Sequence, residues 1–168
     1  MDVDVKESRL RFSFPDSWTA EPYDEWAFYR NHFNGVCKSK ADDIVACDGT
    51  QALYLIEVKD YRRQRRTKPI DIADEIAHKC RDTLAGLAAA RVRASNHNEQ
   101  QAADQSMRCR TIRVVLHLEQ PRRPSKLFPR SVDPKSALEK LRKRVRAIDP
   151  HPRIVDRATA MPWTVATY

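Results

Sequence analysis

The chain is predicted to fold as an α/β three-layer sandwich around a mixed central sheet, as a single domain over residues 1–168. Three observations predict it. Two short apolar runs, at 43–47 and 52–59, flank Asp48-Gly49, a turn signal that favours antiparallel pairing. A long helical pattern after residue 71 then leads into Thr111-Ile-Arg-Val-Val-Leu-His-Leu118, nearly continuously apolar and of the type buried on both faces of a sheet. Helix followed by such a strand implies a right-handed crossover, hence a parallel neighbour for the hairpin's second strand. With 168 residues there is enough chain for one hydrophobic core. The core is expected over about residues 22–118, with a C-terminal helix and strand over about 133–156.

Taken in order, Arg9 to Phe14 alternate basic and apolar residues, the period of a half-buried strand, and Pro15-Asp16 ends it. Trp26, Tyr29, Arg30 and Phe33 recur at helical spacing, with Pro22 suited to a first turn and Asn34-Gly35 to a stop, so a helix is expected over 22–33. The hairpin follows. Asp71 is an N-cap for a helix running to about Arg93, whose seam is Ile72, Ile76, Cys80, Leu84 and Leu87. Residues 95–108 are polar and lack an apolar period, which predicts a loop. After the 111–118 strand, residues 120–131 are proline-rich and basic, a loop suited to lie on a polyanion. Asp133-Pro134 opens a helix with the seam Leu138, Leu141, Val145 and Ile148, and its remaining surface is strongly basic. A short strand is expected at 154–156.

Lys and Arg number 31 against 23 Asp and Glu, a net +8, a balance that favours a polyanionic partner. No window approaches the length and apolarity of a bilayer span, and the N-terminus lacks a basic start and an apolar signal core, so a cytoplasmic protein without membrane contact is expected. Cys37, Cys47, Cys80 and Cys109 show no Cys-x₂-Cys pairing, which predicts reduced thiols rather than zinc ligands or a disulfide framework.

Chemistry concentrates at the end of the hairpin. In Ala52 to Lys59, period-two alternation puts Glu57 and Lys59 on one face, about 7 Å apart along the strand. Antiparallel pairing brings Asp43 beside them. Two carboxylates and a lysine suit Mg²⁺, with Mn²⁺ as a substitute, and the lysine would position or activate water beside the metal. The alternative is a surface ion pair at a strand end. The run Asp60-Tyr-Arg-Arg-Gln-Arg-Arg-Thr-Lys68 follows directly, so Arg62, Arg63, Arg65 and Arg66 are candidates for backbone phosphate contacts, or else a solvated charged loop.

Asp43 and Leu55-Ile-Glu-Val-Lys-Asp-Tyr-Arg62 resemble the active-site signature of the PD-(D/E)XK, restriction-endonuclease-like nuclease superfamily, in which an Asp ends one strand and Glu-x-Lys lies on the next. The resemblance covers about residues 22–118, with Asp42 standing where the signature has a proline. It implies a restriction-endonuclease-like core and a Mg²⁺-dependent nuclease, an endonuclease or exonuclease that leaves 5′-phosphates. Asp43, Glu57 and Lys59 would be catalytic, and Asp43 and Glu57 metal ligands. Glu25, on the helix before the Asp strand, is the further candidate ligand, unless Asp24 and Glu25 are first-turn acids placed against the helix dipole. Lys79, on the helix after the hairpin, is a candidate substrate contact. The implied partner is nucleic acid, DNA before RNA, bound by a homodimer or a larger nuclease complex. The alternative function is a non-catalytic nucleic-acid-binding or scaffold subunit with a nuclease-like fold.

Overall fold

The computed structural model describes residues 2–127 and 129–168. Its centre is the hairpin of β4 (Ile44–Asp48) and β5 (Ala52–Asp60), paired antiparallel with Ile44 opposite Ile56 and Asp48 opposite Ala52. The turn therefore spans residues 49–51 rather than closing on Asp48-Gly49. Gly49 holds φ 52, which a residue without Cβ adopts freely. β6 (Thr111–Glu119) lies parallel to β5, and β7 (Arg153–Val155) parallel to β6. With β3 (Thr19–Pro22) antiparallel to β4, the order is β3-β4-β5-β6-β7, a mixed five-stranded sheet.

Alternation along the strands sorts the two faces. Val45, Cys47, Leu53, Leu55, Val114 and Leu116 join one core with α1 (Ile72–Arg93), α2 (His97–Arg108) and α3 (Pro134–Val145). Ile44, Ala46, Ile56, Val58 and Val115 join a second core under a three-stranded sheet, ordered β1-β2-β8, of β1 (Val3–Glu7), β2 (Leu10–Phe14) and β8 (Thr164–Thr167). The layers are thus helices, mixed sheet and a second sheet. Asp71 caps α1 by accepting from the Ala73 amide at 2.9 Å, and Asp133 caps α3 from the Lys135 and Ser136 amides at 3.4 and 3.2 Å. No helix among the described residues is long and apolar enough to cross a membrane.

Two elements differ from expectation. The helix expected over 22–33 is replaced by the end of β3, a 3₁₀ turn at Tyr23–Glu25 and a π-helical turn at Tyr29–Phe33. Pro22 has extended ψ 90 and closes a strand instead of opening a helix. The loop expected over 95–108 is largely α2, capped by Asn96, whose side chain accepts from the Asn98 and Glu99 amides. Its inward residues are Ala103 and Ser106, too small to register as an apolar seam. The Glu99 carboxylate also accepts from the Ala27 and Phe28 amides at 2.7 and 3.0 Å, tying α2 to the irregular 22–33 segment.

That segment also packs on α1, with Tyr23 and Phe33 seated against Gly86. A Cβ there would collide with the hydroxyl of Tyr23, which is wholly buried and cannot swing aside. Gly86→Ala should therefore lose about 1–3 kcal/mol in urea unfolding through overpacking, although alanine is the better helix former. Adding Tyr23→Phe should return most of the loss; an unchanged midpoint for Gly86→Ala would show that the ring yields.

Candidate functional site

Glu57 and Lys59 share the β5 face that carries Leu53 and Leu55, so both point toward the helices. Extending the β4–β5 register by one residue sets Asp43 across from Glu57. There the Asp43 carboxylate accepts from the Val58 amide at 2.7 Å, while the Asp43 carbonyl accepts from the Tyr23 amide at 3.1 Å. From α1, Glu75 and Lys79 stand one turn apart on the side facing this strand end.

These side chains form a closed ion-pair network. Lys79 Nζ lies 2.6 and 2.7 Å from the two carboxylate oxygens of Glu57 and 3.4 Å from Asp43 Oδ1. Lys59 Nζ also donates to Glu57 and lies 3.3 Å from Glu75. Glu75 in turn pairs with Arg66 at 2.8 Å and Lys68 at 2.5 Å. Glu57 is wholly buried. Burial and the neighbouring Asp43 charge push its carboxyl up to about 8, against the pull of Lys79 and Lys59. Burial would lower Lys79, but Glu57 and Asp43 more than reverse that and hold the ammonium protonated.

Asp42, the residue that stands at the signature's proline position, is wholly buried behind the network. Its amide donates to Thr83 Oγ1 at 2.8 Å and Cys80 Sγ donates to its carboxylate at 3.7 Å. Burial pushes this carboxyl up to about 7.

The two carboxylates do not fit Mg²⁺ or Mn²⁺ as they stand. Asp43 and Glu57 spend all four oxygens on Lys79, Lys59 and the Val58 amide, so the ammonium of Lys79 sits where a hard cation would need open oxygen. Among the described residues, no group of three or more His, Cys, Asp or Glu side chains is placed to hold a metal ion. Glu25 is exposed and takes no part in the cluster. Its neighbour Asp24 faces the site instead: burial and the Asp43 charge raise its carboxyl, opposed by Lys79. A regular helix phase had made Asp24 and Glu25 equivalent first-turn acids, whereas the 3₁₀ turn separates them. Glu7, at the end of β1, is also within reach of the Asp43, Asp24 and Lys79 charges. No local signal marks it, because β1 carries only a short alternation.

The arginine run divides by use. Arg66 is committed inward, to Glu75, Tyr61 Oη and the Ile70 carbonyl. Arg65 donates to the carbonyls of Lys126 and Leu127 and ties down the following loop. Arg62 makes a forked pair with Asp60 at 2.8 and 2.6 Å. Only Arg63 has no such partner among the described residues. Lys79, expected as a substrate contact, is enclosed between Asp43 and Glu57.

The fold and site thus define a mixed α/β protein whose strand-end carboxylates are neutralised by lysines of its own. No protein-family model matches the chain, and no solved structure matches it. A cysteine--tRNA ligase of Neisseria meningitidis serogroup A / serotype 4A (strain DSM 15465 / Z2491) is 34% identical over a 160-residue alignment, which takes in 77% of this chain and 23% of the ligase. The chain therefore spans about a quarter of the length of that relative. This similarity overturns the expected metal-dependent nuclease, because the protein it resembles is a ligase and not a phosphodiester hydrolase. The internal pairing of Asp43, Glu57, Lys59 and Lys79 gives the physical reason that the signature misled: the residue types are those of a hydrolytic site, but their charges are spent on one another.

Proposed function

We propose that this chain is an RNA-binding module that engages tRNA, the class of nucleic acid named in the cysteine--tRNA ligase it resembles. The observation that carries the reading is the 34% identity to that enzyme. The matched part is 23% of the ligase, so what is carried over to this chain is contact with the RNA and not the whole enzyme's activity. The net charge of +8 supports this, since neutralising phosphates is the main source of affinity for a nucleic acid. RNA thereby replaces the DNA first expected. The antiparallel β4–β5 pair, followed by α1 and the parallel β6, supports reading the core as restriction-endonuclease-like in architecture, retained here for binding.

Fluorescence anisotropy with a labelled cysteine tRNA transcript tests the reading, with a DNA duplex of similar length as competitor and EDTA throughout. The chain should bind the tRNA without divalent metal, weaken steeply as salt rises, prefer it to the duplex and release it intact. No binding at low salt, tighter binding to DNA, or shortened tRNA on a gel would overturn the proposal.

A further inference from the structure

The parallel strands β5, β6 and β7 all end at one edge of the sheet, and open α/β sheets characteristically leave a ligand crevice beyond the carboxyl ends of such strands. Two adjoining clefts lie along this edge, of about 490 and 520 Å³, sharing Arg62 and Arg157. The first adds Arg122 and Arg130 above an apolar floor of Leu118 and Ile154. The second adds Arg9 and Arg63. Six arginines from four separate parts of the chain thus line one continuous trough.

The acids in the trough are already satisfied. Asp60 holds Arg62, and Glu119 accepts from Arg157 and lies 3.1 Å from His117. Asp156 accepts from the Ala158 amide and Thr159 Oγ1. Arg62 and Arg157 are thereby fixed in place, while Arg9, Arg63, Arg122 and Arg130 are exposed and have no ion pair among the described residues. Arg9 adds an independent indication. With Ser8 at φ 49 it makes the two-residue turn between β1 and β2, itself at φ 64, a position where glycine is favoured and a side chain is strained. A guanidinium stands there at a cost to the backbone, directed at the edge where the other arginines gather.

We propose that this trough binds the sugar-phosphate backbone of RNA, with Arg62 and Arg157 as fixed posts and Arg9, Arg63, Arg122 and Arg130 as the arms that neutralise successive phosphates. The proposal rests on the RNA-binding reading and names its surface, which lies beyond the Glu57 network rather than in it.

The test compares two variants of the full chain that lose equal charge. One carries Arg9→Gly, Arg63→Ala, Arg122→Ala and Arg130→Ala; Arg9→Gly relaxes the turn, so lost binding cannot be put down to a weakened hairpin. The other carries Lys135→Ala, Arg142→Ala and Lys143→Ala on α3 and Arg146→Ala at its C-terminal cap, all exposed. Binding to the cysteine tRNA transcript is measured across a salt series, after thermal melts confirm that both are folded. The trough variant should lose about 3 units of salt slope, at roughly 0.7 to 0.9 per phosphate contact, and the α3 variant less than one. Equal losses, or a trough variant that binds like the parent, would overturn the trough while leaving RNA binding intact. If the parent binds no tRNA, the RNA reading falls. The trough then survives as a polyanion site only if heparin is bound by the parent and lost in the trough variant, and is overturned if heparin is unbound or bound equally by both variants.

Discussion

Replacing Lys79 with methionine is expected to destabilise the fold by about 3 kcal/mol at neutral pH, the lower end of the cost of breaking a buried ion pair. Lys79 contacts both oxygens of Glu57 as well as Asp43, and Glu57 has no route to solvent. Lys59 still reaches Glu57 in the variant, which keeps the loss from being larger. Without Lys79 the carboxyl of Glu57 is raised further. The folded variant then holds a proton that its unfolded chain has released, and its stability falls as pH rises above about 4.5. The parent holds the same proton up to about pH 8, so the deficit should stay level between about pH 5 and 7 and widen only above about pH 8, where the parent's Glu57 ionises beside Lys79 and the variant's does not. Adding Glu57→Gln, which leaves a neutral group for Lys59, should recover most of the loss. Urea unfolding of the parent, both single variants and the double variant checks this as a cycle. Additive effects would mean that the two side chains do not act on one another.

What could be read from the sequence divides along local and nonlocal lines. α1 and α3 announce themselves through Asp71 and Asp133, caps whose partners lie two or three residues away, and β5 and β6 through apolar runs that need no distant information. The parallel pairing of β5 with β6 followed from the helical connection between them. The β1-β2-β8 layer was not legible in the same way, since it joins Leu10 to Thr167 across almost the whole chain. α2 was missed because a helix can be held by alanines, an Asn cap and one buried glutamate without any large apolar stripe.

At the site, residue types and positions were legible and allegiances were not. Asp43, Glu57 and Lys59 do converge, but the decisive contact comes from Lys79, and a helical residue's partner depends on how the helix lies across the sheet. The same limit applies to the arginines. Five basic residues in nine is visible as charge, yet Arg66 serves Glu75 and Arg65 serves the 126–127 carbonyls, while Arg9, which has no ion pair among the described residues, lies in a hairpin more than fifty residues away.

Glu75 marks the outer half of the buried network and gives it a pH signature opposite to that of Glu57. Burial works to raise its carboxyl, but Lys68, Lys59 and Arg66 together outweigh burial and draw it down to about 2 from 4.5. A carboxyl lowered on folding stabilises the fold fully above its unfolded value and loses that contribution as pH falls toward its folded value. Glu75 therefore contributes above about pH 4.5, and the contribution drains away between about pH 4.5 and 2. The shift corresponds to about 3 kcal/mol, reduced toward about 2 kcal/mol because Lys68 is more than half exposed and its charge is screened. Glu75→Gln should lose that amount at neutral pH, since an amide cannot balance three cations that remain beside it. Its stability should also change less between about pH 5 and 2 than the parent's, so that the two converge in acid. Parallel curves for parent and variant across that window would place the acid sensitivity of the fold elsewhere, with Asp60 and Asp71, both also held below their usual range by Arg62 and Lys140, as the next carboxylates to replace.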